Sequence, residues 1–196
     1  RCSENCRFCA QSAHNHTGAA EYPLLSAEEI VAQAKREDAQ GVLRYSIVTS
    51  GKRLTDREVD EMCEAVRQIR RECRLSVCIS FGLLGEEQYR KLKEAGVTRV
   101  HNNLETSRNH FPEICTTHTF DDKVAAIRAA QAAGLTVCSG GIMGMGETKE
   151  DRIDMALTLR ELGIGSVPVN LLNPIPGTPL ERQKPLTADD MRRIVA

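Results

Sequence analysis

The sequence predicts an α/β fold built on a parallel sheet, and three observations carry that reading. Short apolar runs recur along the chain, helical patterns separate them, and capping residues mark the helix ends. The runs are residues 42–48, 75–79, 97–104, 136–139 and 167–172. Each is rich in β-branched residues or bounded by glycine, which fits a strand buried on both faces. They recur about every 22–39 residues with a helical pattern between them, so a parallel sheet with right-handed crossovers is expected.

The helices are punctuated in order. Ser26 precedes Glu29, Thr55 precedes Glu58, Thr119 precedes Asp122, Thr148 precedes Asp151, and Thr187 precedes Asp190. In each pair the hydroxyl can accept from an orphan N–H, and the acid can answer a second N–H or the helix dipole. Gly41, Gly96, Gly134 and Gly163 follow helical stretches and suit a left-handed cap. Helix 27–39 places Ile30, Val31 and Ala34 on one stripe. Helix 121–133 is expected to turn Val124, Ala125, Ile127 and Ala132 inward. Two architectures satisfy this pattern, a doubly wound open sheet and a (β/α) barrel. Both put ligands at the C-terminal ends of the strands. The Pro-rich stretch at 173–179 follows a strand and is expected to be a rigid loop on that face.

Composition excludes several classes. The chain has 196 residues, 41% apolar and 27% charged, with a formal net charge of −1. That balance gives no reason to expect nucleic acid or an anionic membrane as partner. No apolar run is long enough to span a bilayer. Eight cysteines without a secretion signal argue for reduced thiols and against a disulfide framework. A cytoplasmic location follows as the expectation.

The sharpest feature is C-x3-C-x2-C at Cys2, Cys6 and Cys9. Zinc wants four ligands, and no second C-x2-C or H-x3-H occurs. A [4Fe–4S] cube held by three thiolates keeps one iron open, and that open iron can bind a substrate. The competing reading is a structural knuckle completed by a further cysteine. A ligand motif this near Arg1 leads us to expect that an N-terminal segment is missing, and a C-terminal one too.

C-x3-C-x2-C with Phe8 before the last cysteine resembles the radical S-adenosylmethionine (SAM) superfamily. Four segments narrow the resemblance: CSENCRFCAQS at 2–12, HNNLETS at 101–107, VCSGGIMGMGET at 137–148, and VPVNLL with GTPL at 167–172 and 177–180. In order and spacing these are similar to the biotin synthase family, over nearly the whole chain. The resemblance implies a (β/α) barrel of TIM type, incomplete here, with residues 1–196 as one barrel domain. It implies that Cys2, Cys6 and Cys9 hold a [4Fe–4S] cluster that binds SAM. The resulting 5′-deoxyadenosyl radical takes hydrogen from dethiobiotin, and an auxiliary cluster, [2Fe–2S] or another type, donates sulfur. It further implies Phe8 beside the adenine, Asn103 and Glu105 at the ribose and the substrate, Asn170 nearby, and Gly140 and Gly141 close to the cofactor. A flavodoxin- or ferredoxin-like electron donor and a homodimer belong to the same expectation.

Departures from the family pattern are informative. Two auxiliary ligand positions hold Cys78 and Cys138, but the first holds Ser46, a harder ligand than a thiolate. Cys115 is an extra cysteine, so an altered auxiliary cluster on Cys78, Cys138 and Cys115 is the expectation. His118 stands where an arginine usually binds the cofactor carboxylate, and His101-Asn102 inverts an Asn-His order. Cys63 and Cys73 read as bystanders, and His14 and His16 as solvated loop histidines. Alternative activities are a sister radical enzyme, of the methylornithine synthase or hydrogenase-maturase kind, and a non-catalytic iron–sulfur or zinc module.

Overall fold

The structure is a computed structural model that describes residues 1–195. Helices and parallel strands alternate as expected. The order is α1 (Ala27–Ala39), β1 (Arg44–Val48), α2 (Asp56–Glu72), β2 (Ser76–Ser80), α3 (Glu86–Ala95), β3 (Val97–His101), α4 (Phe111–Ile114), α5 (Phe120–Ala132), β4 (Thr136–Cys138), β5 (Gly141–Met143), α6 (Lys149–Glu161), β6 (Val169–Leu171) and α7 (Ala188–Val195). Strands β1 to β4 form one sheet in sequence order, and β5 pairs with β6 in a second. β1–β2, β2–β3 and β5–β6 are all parallel.

The predicted caps are present. Ser26, Thr55 and Thr148 close reciprocal capping boxes with Glu29, Glu58 and Asp151. Thr119 with Asp122 and Thr187 with Asp190 make the same bonds. Gly96 is a left-handed C-cap at φ 114°. Gly41, Gly134 and Gly163 also take positive φ.

Three expectations are corrected. β1 and β6 are not buried on both faces: Val48 is 68% exposed and Leu171 43%. Both strands end the order of their sheets, so one flank of each lacks a neighbour. The segment after β4, where no further strand was expected, contains β5, which pairs with β6 from Gly141↔Val169 to Met143↔Leu171. On α5 the buried residues are Phe120, Ala126, Ile127 and Ala130, while Ala125 and Ala132 are exposed. An alanine-rich helix is nearly uniform in apolarity, so its sequence does not fix which stripe faces inward.

The chain divides into two compact units. One comprises residues 22–102 and 125–137. Its core is aliphatic: α2 buries Val59, Met62, Ala65, Val66 and Ile69, and β2 buries Val77, Cys78 and Ile79. α2 packs against both α1 and α3. The other unit comprises residues 1–21, 103–124 and 138–196. Its apolar cluster is small, with Ile114, Met145, Leu172 and Leu180 and with Phe8 and Ile142 packed against it.

Candidate metal centre

The N-terminal loop closes on itself through its backbone. Cys2 N–H donates to Gln11 O at 2.8 Å and Ala13 N–H to Cys2 O at 2.8 Å. Cys9 N–H reaches Cys6 O at 3.2 Å. Two buried side chains complete the fold: Ser12 Oγ donates to Glu4 O at 2.7 Å, and Asn15 Nδ2 donates to Cys6 O and Cys9 O at 3.2 and 2.9 Å. Carbonyls that the tight turn would strand are thus answered from within the loop. The result is a fixed turn carrying three free, partly exposed thiols at Cys2, Cys6 and Cys9. The Pro-rich loop supports it: His16 N–H donates to Gly177 O at 3.0 Å. A Cβ on Gly177 would lie 2.1 Å from His16 O, so no larger residue fits there.

A second segment of the same unit, residues 115–118, docks on the loop. Asn5 Nδ2 donates to Thr116 Oγ1 at 2.7 Å, Thr116 N–H donates to Asn5 Oδ1 at 2.9 Å, and Asn5 N–H donates to Thr117 Oγ1 at 3.1 Å. Arg7 N–H donates to Ile114 O at 3.0 Å. These bonds bring Cys115 and His118 to Cys6 and Glu4. His118 Nδ1 lies 2.6 Å from Glu4 Oε2 and 3.3 Å from Cys115 Sγ, and all three residues are buried.

The electrostatics of this cluster separate its groups. The Cys115 thiol falls to about 3, first through its hydrogen bond with Cys6, with His118 and Thr117 adding to it against burial. Cys6 moves the opposite way, raised by that same bond and then by burial. The two sulfurs therefore titrate as a coupled pair that shares one proton. Burial pulls His118 down, but Cys115 and Glu4 outweigh it and the imidazole is raised overall. Burial also raises Cys9.

Asn103 and Glu105 sit together, with Asn103 Nδ2 donating to Glu105 Oε2 at 3.4 Å. Asn103 Oδ1 accepts from Gly140 N–H at 3.0 Å. Glu105 has φ 72°, and its backbone pairs with both sides of Gly141. Glu105 N–H donates to Gly140 O at 3.1 Å, and Ile142 N–H donates to Glu105 O at 2.9 Å. An acid held in a left-handed conformation costs about 1–3 kcal/mol and marks a place the fold over-determines. Burial raises the Glu105 carboxyl, opposed by Lys123, Asn103 and His118. The room left at Gly140 and Gly141 is filled by the chain itself. A Cβ at Gly140 would meet Pro168 O at 1.9 Å, and one at Gly141 would meet Glu105 O at 2.6 Å. Phe8 packs on the apolar cluster with Ile114 and Met145. Asn170 lies in the middle of β6 opposite Ile142 and is exposed.

The remaining candidates are placed as follows. Ser46 and Cys78 are register partners on β1 and β2. Cys138 ends β4 and accepts from Ser166 Oγ at 3.4 Å. Cys115 has Cys6 and His118 as neighbours. Among the described residues, no group of three close metal donors joins it to Cys78 and Cys138. Cys63 and Cys73 are buried on α2 and at its C-cap. His14 and His16 are exposed, as expected.

Residue reading missed Glu4, Asn5, Ser12 and Asn15 as organisers. It also missed Glu147, which accepts from Gly144 N–H and Met145 N–H at 2.8 and 2.7 Å and shapes the glycine-rich loop. A carboxylate lying between two cysteine ligands was the available signal for Glu4. Nothing in spacing could pair it with a histidine 114 positions away.

The donor set fits an iron–sulfur cube: three reduced thiols on one tight loop, none of them in a disulfide. The sequence profile of the radical SAM superfamily matches residues 1–159. The chain belongs to that superfamily. Among characterised proteins it is 61% identical over all 196 residues to a biotin synthase of Brachyspira hyodysenteriae, and 59% identical to one of Akkermansia muciniphila. It spans 59% and 61% of the length of these two relatives. Among solved structures, a methylornithine synthase superposes with TM-score 0.82 at 25% identity, over 95% of this chain and 55% of that one. A maturase of the [FeFe]-hydrogenase superposes with TM-score 0.80 at 22% identity, over 99% of this chain and 46% of that one. The second likeness is one of fold. The parallel α/β class of the TIM-barrel type therefore stands, with its strands here in two open sheets.

Proposed function

We propose that this chain is the catalytic part of a biotin synthase that converts dethiobiotin to biotin. The observation that carries the reading is the fixed loop presenting Cys2, Cys6 and Cys9, in a chain 61% identical to a biotin synthase. When bound, the [4Fe–4S] cluster supplies an electron that cleaves SAM and yields a 5′-deoxyadenosyl radical. Ser12 and Asn15 hold the turn that presents the thiolates. Glu105, held by its pairing with Gly141 and by Asn103, offers a carboxylate for a ribose hydroxyl or a substrate N–H. Phe8 offers a flat apolar face for an adenine, and Asn170 a polar edge for the substrate. His118 takes the place of an arginine toward the cofactor carboxylate, and its raised proton affinity suits that role. Cys78 and Cys138 are assigned to the auxiliary cluster, with Ser46 as the register partner of Cys78. Cys115, expected as its third thiolate, receives a different role below. A flavodoxin- or ferredoxin-class donor, a homodimer and a cytoplasmic location complete the reading. Among the described residues no helix is long and apolar enough to cross a membrane.

The test is direct. Cluster-loaded protein, given SAM, reductant and dethiobiotin without oxygen, should release 5′-deoxyadenosine and biotin, and Cys9→Ala should release neither. 5′-Deoxyadenosine without biotin would keep the radical chemistry and overturn the substrate. Neither product from fully loaded protein would overturn both.

A further inference from the structure

The loop of the cluster ligands and the segment 115–118 together build a second donor set, which shares Cys6 with the cluster and adds Cys115. Cys6 Sγ, Cys115 Sγ and His118 Nδ1 all lie within 4.8 Å of one another. Among the described residues, no other three Cys, His, Asp or Glu side chains form such a group, and the trio Cys2, Cys6 and Cys9 does not. That difference has a chemical meaning. Thiolates around an iron–sulfur cube stand apart on separate irons, whereas ligands of one ion share a single small polyhedron.

The spacing suits a single tetrahedral cation. Zinc–sulfur bonds of about 2.3 Å and zinc–nitrogen bonds of about 2.1 Å put sulfur and nitrogen roughly 3.6 Å apart at a tetrahedral angle. Cys115 Sγ and His118 Nδ1 are 3.3 Å apart, so a small relaxation admits the ion. Glu4 Oε2 lies 2.6 Å from the same imidazole nitrogen, a hydrogen bond that the ion would replace, and a solvent molecule would fill the fourth position. Asn5 Oδ1 and Thr117 Oγ1 stand 3.3 and 3.4 Å from Cys115 Sγ and fix the direction of that sulfur. Both Asn5 and Thr117 are themselves bonded to each other's segment, so the pocket is held from two sides.

We infer that the cluster-free chain holds one thiophilic divalent cation, of the zinc or ferrous class, at Cys6, Cys115 and His118. Binding displaces every proton held on the two sulfurs and on His118 Nδ1 and releases it to solvent, with no change of oxidation state. The site shares Cys6 with the cluster loop, so cation and cube exclude one another. A zinc-loaded chain therefore resists cluster assembly until the ion is withdrawn. The cation site itself stands on geometry alone, and only the exclusion rests on the cluster role proposed for Cys6.

Cobalt(II) titration of the full, reduced, cluster-free chain under anaerobic conditions tests this. The wild type and Cys2→Ala should both show sulfur-to-cobalt charge transfer and the visible bands of tetrahedral cobalt, bleached by one equivalent of zinc. Cys115→Ala should lose both signals yet still assemble the iron–sulfur cluster, which also shows that it folds. His118→Ala should lose the tetrahedral bands. Zinc-loaded wild type should assemble cluster more slowly than zinc-loaded Cys115→Ala. No cobalt bands in the wild type, full bands in Cys115→Ala, or their loss in Cys2→Ala would overturn the site. Cobalt bands in a chain that never assembles a cluster would keep the cation site and sink the cluster role instead.

Discussion

The two compact units solve the problem of being buried in opposite ways. Among the described residues, twelve polar or charged residues are buried, and of these Asn102 alone belongs to the unit of residues 22–102 and 125–137. The other eleven, among them Glu4, Asn15, Asn103, Ser107, His118 and Asp151, belong to the unit that carries the cysteine loop. One unit is held by apolar packing and local caps. The other is held by hydrogen bonds between distant segments, each of which leaves a costly orphan if one partner is removed. The cysteine loop lies in the unit that buries most of the polar groups, and the other unit buries almost none.

The largest effect expected from this contrast is in the aliphatic unit. Ile69 on α2 is fully buried, and Ile69→Ala removes three carbons from a packed core. The loss should be about 2–5 kcal/mol, read as a lowered denaturation midpoint. Ile69 and the cysteine loop belong to different units, so iron content per folded chain should be unchanged. A fall in iron content at full folding would break the contrast, since packing and site would then be one system.

An intermediate effect is expected at Ser107 and Asp151 in the cysteine-bearing unit. Ser107 Oγ donates to Asp151 Oδ1 at 2.5 Å, and the pair is buried. Ser107→Ala should cost about 1–3 kcal/mol at neutral pH. The bond with Ser107, followed by Thr148, holds the Asp151 carboxyl down at about 2. A depressed carboxyl stabilises the fold above its unfolded value of about 3.9, and that contribution fades as pH falls through about 2. The gap between wild type and Ser107→Ala should therefore narrow across that window. A gap constant down to pH 2 would show that the bond does not act through the charge.

The same division explains what the sequence made legible. In the aliphatic unit, signals are local. Thr55 announces Glu58 three residues on, and the stripe Ile30, Val31, Ala34 is the buried one. Errors there were of phase, as on α5, where alanines gave the pattern no contrast. In the cysteine unit, the ligand loop was legible because Cys2, Cys6 and Cys9 lie in one short run. What the loop touches was not legible. Cys115 was read with Cys78 and Cys138 because a cysteine is lost at Ser46 and one is gained at 115, whereas Asn5 ties residues 115–118 to the loop across more than a hundred positions. β5 was hidden for a similar reason: three residues can be a strand only because β6 is there to pair with them. Side-chain partners distant in sequence leave no periodicity to read.

The smallest effect is also the finest test, because one motif occurs in both units. Thr55 and Thr148 cap their helices with the same reciprocal bonds. Around Thr55 the box is exposed, with Glu58 Oε2 accepting from Thr55 N–H and Oγ1, each at 2.7 Å. Around Thr148 the acid is Asp151, which is buried and also accepts from Ser107. Thr55→Ala should cost about 1 kcal/mol, the ordinary value of a cap whose partner can turn to water. Thr148→Ala should cost more, because the buried Asp151 loses a donor that water cannot replace. Chemical denaturation of the two variants side by side measures the difference. Equal losses would mean that the buried polar network adds nothing to a local cap, and the distinction between the units would reduce to composition.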